Sequence, residues 1–207
     1  MDNKAYLDEI AVKGKRKGAG GPILSPTVIK LIIVAVFAVI ALAIVGNMIS
    51  SKNAETVKLY ESVYSRVSAL ADKKGPFSAY QNKLNSSELR AYNISTRSSL
   101  ETTLSTLSSA AKGVNLNVSS ISSDVKTKEK GIVNQFNSSL ENARLLGTLD
   151  ETFASEAAYH LSLLISLERE ARAKVTDANF AAALDASIAD LTVIQENYAD
   201  WPPIASD

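Results

Sequence analysis

Histidine, the residue type most often used for acid–base chemistry and metal binding at neutral pH, occurs once in this chain, at position 160. Glu156 lies one helical turn before His160, so a helix would place one carboxylate beside one imidazole. Dinuclear metal sites in helical bundles need carboxylates from several facing helices and two Glu-x-x-His elements. Since His160 meets neither requirement, we interpret it as a histidine in the core or at its boundary.

A second group of ionisable side chains lies between positions 168 and 174. Glu168 and Arg172 are four residues apart, which predicts an ion pair on a solvent-exposed helix face. Glu170 and Lys174 have the same spacing and the same interpretation, and each pair would contribute a few tenths of a kcal/mol. We therefore expect this group to be structural and to carry no chemistry.

Other catalytic patterns are also missing from the sequence. Serines are plentiful, but none lies in a G-x-S-x-G motif. The chain has no cysteine, which excludes disulfide bonds and thiolate chemistry. The sequence thus predicts no catalytic residue, no metal ligand and no cofactor, and it favours a protein that is not an enzyme.

The overall charge gives no indication of a nucleic-acid partner. The chain has 22 basic and 22 acidic residues, so its formal net charge is zero. The basic run KGKRKG over residues 13–18 is interpreted as a determinant of membrane topology. Binding of anionic lipid headgroups or of nucleic acid by this run is the alternative.

An uncharged stretch extends from Leu31 to Ile49, and the rest of the chain is arranged around it. A helix of this length covers the hydrocarbon core of a bilayer, about 30 Å thick, so the sequence predicts a transmembrane helix that contacts lipid. The apolar stretch is too long for a typical signal peptide and no A-x-A cleavage site follows it, which favours a retained anchor over a cleaved signal.

The distribution of lysine and arginine predicts the orientation. Most of the positive excess lies before the apolar stretch, which indicates a cytoplasmic N-terminus and an extracytoplasmic C-terminal region at the plasma membrane. The expected organisation is a short basic arm at 1–27, a membrane helix at 28–49, a helical bundle at 50–201 and a tail at 202–207.

From residue 50 onward, apolar residues recur at spacings of three and four, which is typical of amphipathic helices and not of strands. The pattern predicts five segments, the first with a heptad-like seam. The seam residues, segment by segment, are Thr56, Tyr60, Val63, Val67 and Leu70; Tyr80, Leu84, Leu89, Tyr92, Thr96, Leu100, Leu104, Leu107 and Ala111; Ile121, Val125, Ile132, Phe136, Leu140, Ala143 and Leu146; Phe153, Ala157, His160, Leu164, Leu167 and Ala171; and Phe180, Leu184, Ile188, Leu191, Ile194, Tyr198 and Trp201.

Helix boundaries are predicted from glycine, proline and aspartate. The first segment should stop before Pro76, and the second should run from about position 78 to 112, before Gly113. Gly147 is expected to end the third helix, and Asp150 and Asp177 to cap the fourth and fifth from their side-chain oxygens. Short connections between amphipathic helices place neighbours antiparallel.

The expected fold class is all-α: a single transmembrane helix followed by an extramembrane antiparallel bundle of four to five helices. Two functions fit this plan. The first is a non-enzymatic structural or interaction module at the cell envelope, which binds a protein partner or another copy through its helical seams. The second is a ligand-sensing ectodomain that works with a separate cytosolic partner, since 27 residues leave no room for a signalling domain.

Overall fold

The computed structural model of the chain describes residues 54–201. The predicted membrane helix from Leu31 to Ile49, the basic arm before it and the tail at 202–207 lie outside the described residues. Among the helices of residues 54–201, none is both long enough and apolar enough to cross a bilayer.

Residues 54–201 are helical, with no strand between these positions, so the prediction of an all-helical fold is confirmed for this part of the chain. Five long helices follow one another, and one single-turn helix lies between the first two. They are α1 at 54–71, α2 (the single turn) at Pro76–Ala79, α3 at Ser87–Ala110 with a 3₁₀ extension at Ala111–Val114, α4 at Ser123–Leu146, α5 at Leu149–Lys174 and α6 at Ala178–Ala199.

Helices α5 and α6 run antiparallel, as their side-chain contacts show. Glu168 of α5 contacts Ser187 of α6, and one turn later on α5, Arg172 contacts Asp185. Position numbers thus rise along one helix as they fall along the other. The connection between the two helices is short, which is the usual cause of this arrangement.

Helices α3 and α6 are antiparallel by the same criterion. Thr96 of α3 contacts Tyr198, near the end of α6, whereas Thr103 contacts Ser187, closer to its start. Helix α6 therefore packs against both α3 and α5 and forms the centre of the bundle.

Helix α1 packs along the side of this group. The Tyr60 ring lies 5.1 Å from the Phe180 ring of α6, and the Tyr64 hydroxyl is 3.0 Å from Ser108 Oγ of α3. Its predicted seam is buried apart from Thr56, which is partly exposed.

Aromatic side chains fill the core where α2, α4, α5 and α6 meet. The Phe77 ring stands edge-on to Phe136 at 5.6 Å and to Phe153 at 6.0 Å, and Phe153 contacts Tyr198 at 5.9 Å. These rings are almost completely buried. Each buries a large apolar area, and edge-to-face pairs are the preferred geometry, so this cluster supplies much of the packing energy.

The predicted stripe of α4 is wrong at its end. Leu146 is 78% exposed, and the last buried residue of the helix is Ala143. Leu146 lies in the final turn, before Gly147 adopts the left-handed conformation (φ 77°) that ends the helix as predicted. The predicted stripe thus includes one turn of α4 that lies beyond its packing surface.

The second predicted helix is wrong at its start, since α3 begins at Ser87 and not near position 78. The chain forms the short α2 and then a turn, in which Tyr80 and Leu84 are buried although they are not helical. The new start is defined by Ser86, whose Oγ accepts a hydrogen bond from the Leu89 N–H.

The role predicted for Asp150 is also wrong, because α5 begins at Leu149 and Asp150 already lies inside its first turn. The Asp150 carboxylate instead accepts hydrogen bonds from the backbone N–H groups of Asn85 at 2.9 Å and Ser86 at 2.7 Å. It therefore caps the start of α3 from another helix. The cap predicted at Asp177 is confirmed by a 2.8 Å bond from the Phe180 N–H.

Replacing Gly131 by alanine is expected to stabilise the fold by about 0.5–1 kcal/mol, because glycine in a helix interior is unfavourable relative to alanine. A Cβ atom at this exposed position of α4 would meet no atom within 4 Å. The measurement is the free energy of unfolding in urea. Gly147→Ala is the control and should destabilise by about 1–2 kcal/mol, because its φ is positive. A loss of stability in Gly131→Ala would contradict the prediction.

Candidate functional site

Besides tyrosines, four ionisable side chains are buried in the described bundle: Arg66, Glu129, His160 and Glu168. Burying a charge is strongly unfavourable unless it is paired or neutralised. Each of these residues therefore requires a partner or a shift to its neutral form.

Arg66 and Glu129 form a buried ion pair between α1 and α4. The distances to Glu129 Oε2 are 2.6 Å from Arg66 Nε and 2.5 Å from Arg66 Nη2, and the side chains are 9% and 1% exposed. Sequence reasoning missed this pair, because Glu129 lies in the charged run KTKEK. Its register was the available signal, since Glu129 lies four residues before Val133 on the buried stripe of α4.

His160 lies in the core, stacked on the Phe136 ring at 4.6 Å with 7° between the ring planes. Its Nε2 atom is 3.4 Å from Glu156 Oε2. Burial lowers the pKa of His160, the nearby Glu156 carboxylate partly opposes this, and the charge of Arg66 adds to the lowering. The imidazole is therefore held mainly in its neutral form, as suits a residue packed against an aromatic ring.

Glu168 is not on a solvent-exposed face, which corrects the sequence interpretation. Its side chain is completely buried, and Oε1 accepts a 2.8 Å hydrogen bond from Ser187 Oγ. Thr103 Oγ1 in turn donates to Ser187 Oγ at 3.1 Å, so a polar chain runs from α3 through α6 to α5. Arg172 pairs with Asp185 instead of Glu168.

Burial raises the pKa of Glu168 to about 8, and the Ser187 hydrogen bond offsets only part of that effect. The carboxyl is therefore mostly protonated at neutral pH. Its register was again the signal, since Glu168 lies four residues after Leu164 and three before Ala171, both buried. The second predicted pair, Glu170 with Lys174, is confirmed at 2.8 Å.

His160 and Glu168 do not form one site. They are eight residues apart on α5, which separates them by about 12 Å along the helix axis. Within residues 54–201, no group of three or more His, Asp or Glu side chains is arranged to hold a metal ion. The buried ionisable residues are thus parts of the core, and a candidate site has to be sought at the surface.

A groove with a volume of about 550 Å³ lies at the surface between α1 and α4. The turn after α1 and the loop before α4 also contribute residues to its lining. Ser65 lies in its floor, 8% exposed, and its Oγ atom has no hydrogen-bond partner. Lys126 and Lys130 of α4 line it as well.

Comparisons of this chain with protein-family models, with curated proteins and with solved structures return no match. The function is therefore argued from the sequence and from the geometry of the bundle.

Proposed function

We propose that this chain is a non-enzymatic, membrane-anchored protein of the cell envelope that acts by binding rather than by catalysis. The observation that carries the proposal is the burial of Arg66, Glu129, His160 and Glu168. Side chains suited to acid–base chemistry lie where a substrate does not reach them. The surface of the bundle offers apolar side chains and the α1–α4 groove, which are features suited to recognition.

The anchor in this proposal is the uncharged stretch from Leu31 to Ile49, oriented by the basic residues before it. The bundle then lies outside the plasma membrane as a single unit of five long helices with antiparallel neighbours. Helix α1 follows the membrane segment closely in sequence, with residues 50–53 between them.

The proposed partner is a protein, either another copy of this chain or a different envelope component. Most of the predicted seam residues are buried or partly buried in the bundle, whereas Leu146, at the end of the third seam, is exposed. We therefore place the contact on exposed apolar side chains. Leu145 and Leu146, at the end of α4, are the most exposed of these at 70% and 78%. Contiguous exposed apolar surface marks interaction sites in many proteins, and the contact we propose includes these two leucines.

Protease added to intact spheroplasts is expected to remove the bundle and to spare an N-terminal tag, because the basic arm lies in the cytoplasm. The readout is immunodetection of tags placed at the two ends of the chain. If the N-terminal tag is degraded and the C-terminal tag survives, the orientation in the membrane is the opposite of the one proposed.

Chemical crosslinking in membranes tests the partner. Leu145→Ser/Leu146→Ser should reduce the crosslinked product, whereas Ile94→Ser, an exposed apolar residue on another helix, serves as the matched control. Recovery of monomer alone from the parent protein would argue against the interaction module.

A ligand-sensing ectodomain is the second candidate, and the α1–α4 groove is the observation that favours it. Helical-bundle sensors bind small molecules between helices and transmit small helix movements. In this reading α1 carries the movement towards the membrane, and a separate cytosolic protein reads the basic arm at 1–27.

A further inference from the structure

The groove between α1 and α4 contains a hydroxyl that lacks the partner its burial requires. Only 8% of Ser65 is exposed, and its Oγ atom makes no hydrogen bond. The neighbouring hydroxyl of Tyr64 is paired with Ser108. An unpaired buried hydroxyl costs about 1–3 kcal/mol, and such groups in native proteins are uncommon. Rotation of the Ser65 side chain towards the groove would let a ligand oxygen accept this proton.

The charges around the groove favour an anionic ligand. Lys126 and Lys130 are one helical turn apart on α4, and Lys74 contributes from the turn after α1. Asp72 is the single carboxylate of the lining, and its Oδ1 atom already accepts a hydrogen bond from the Lys74 backbone N–H at 2.7 Å. Among residues 54–201, none of these three lysines makes an ion pair within 4 Å.

The remaining walls favour an organic body attached to the anionic group. Val118, Ile121 and Val133 supply apolar surface, and Asn134 and Asn137 supply side-chain amides. The volume of about 550 Å³ lies within the range of about 300–1,000 Å³ that small-molecule sites usually have. A bare inorganic ion would leave most of this lining unused.

We propose that the α1–α4 groove binds an organic anion, a molecule with a phosphate or carboxylate group on an apolar or hydroxylated body. Lys126 and Lys130 bind the anionic group, and Ser65 donates a hydrogen bond to one of its oxygens. This proposal rests on the ligand-binding candidate of the preceding section and names its ligand class. The same chemistry is offered by a soluble metabolite and by the headgroup of an anionic lipid.

The test is the rate at which lysines react with an acylating reagent, measured by peptide mass spectrometry on the full-length protein in phosphatidylcholine nanodiscs. The soluble probes are glycerol phosphate, glucose 6-phosphate and citrate, and the lipid probe is phosphatidylglycerol in the nanodisc. A bound anion should slow the labelling of Lys126 and Lys130 by about threefold or more, because it occupies their ammonium groups.

Lys128 provides an internal control. It is exposed on α4 between the two groove lysines but does not line the groove, so its labelling rate should not change. Uncharged glycerol and glucose should protect none of the three residues.

Variants then assign the binding to named groups. Lys126→Gln/Lys130→Gln should lower the affinity by about tenfold or more, and Ser65→Ala by about fivefold, because charge-assisted and neutral hydrogen bonds are lost. Lys128→Gln should leave the affinity unchanged. Circular dichroism confirms that each variant is folded.

Protection by a soluble probe supports a metabolite, and protection by phosphatidylglycerol alone supports a lipid headgroup. The proposal is overturned if no probe protects the groove lysines or if Lys128 is protected equally. It is also overturned if the double variant binds as tightly as the parent. None of these failures would affect membrane topology or crosslinking, so the proposed anchored module is tested separately.

Discussion

The parent protein is expected to lose stability as the pH rises from about 4.5 to about 8, and replacing Glu168 by glutamine should remove most of that loss. Glutamine keeps the shape of the side chain and an oxygen that accepts the Ser187 hydrogen bond. It has no proton to lose, so its burial has no pH-dependent penalty.

The sign of this pH dependence follows from the number of protons that Glu168 binds in the folded and unfolded states. The unfolded chain ionises Glu168 near the ordinary pKa of 4.5, whereas burial raises the folded pKa to about 8. Between these values the unfolded state loses a proton that the folded state keeps, so stability falls as the pH rises. The contribution is complete below about pH 4.5 and lost above about pH 8, with an upper limit of roughly 5 kcal/mol.

The measurement is urea unfolding of a fragment that starts at Ser50, at several pH values across this range. Glu170→Gln is the matched control, because Glu170 is exposed and paired only with Lys174. His160 acts in the opposite direction: its lowered pKa removes stability as the pH falls below about 6.5 in parent and variant alike. An equal decline in Glu168→Gln and parent would show that Glu168 is ionised in the fold.

Replacing Arg66 by methionine is expected to destabilise the bundle by about 3–5 kcal/mol, because it leaves Glu129 buried without its partner. Glu129 is almost inaccessible to water, and no other cation is paired with it within the described residues. Part of the folded population should be lost at 37 °C, since whole domains of this size are stable by only about 5–15 kcal/mol.

The double variant Arg66→Met/Glu129→Leu is the decisive companion, because it removes both charges and should recover most of the lost stability. Arg172→Met serves as the surface control: its pair with Asp185 is exposed, so the change should be about 1 kcal/mol or less. Urea unfolding of the parent, Arg66→Met, Glu129→Leu and the double variant completes a double-mutant cycle. A single variant with the stability of the parent would show that water reaches Glu129.

The helical spacing of residues predicts the core better than their apolar or charged character does. Spacing alone predicts the seam of α1 and the aromatic positions Phe136, Phe153 and Phe180, and apart from Thr56 all of them are buried. Glu129 and Glu168 occupy the same registers and are equally buried. The sequence interpretation places Glu168 on an exposed face because of its spacing from Arg172 and leaves Glu129 out of the α4 stripe, although pairing and protonation make burial of such groups possible.

The candidate groove could not be predicted from sequence, because its parts come from distant segments. Ser65 is one of many serines, and only the packing of α1 shows that its hydroxyl is buried without a partner. Lys126 and Lys130 have helical spacing, but the pattern does not indicate which helix lies opposite them. Likewise, the start of α3 is capped by the Asp150 carboxylate of α5, and no motif near Ser86 predicts that contact.

The contact between Asp150 and the start of α3 has a consequence for the order of folding. Ser86 and Asp150 are 64 residues apart in the chain. During synthesis, the first turn of α3 therefore leaves the ribosome long before its acceptor has been added. The Asn85 and Ser86 amides face water until the α4–α5 corner arrives, and closing a loop of this length is slower than forming a helix. The cap at the amino end of α3 therefore forms late in folding, only when the second half of the bundle docks.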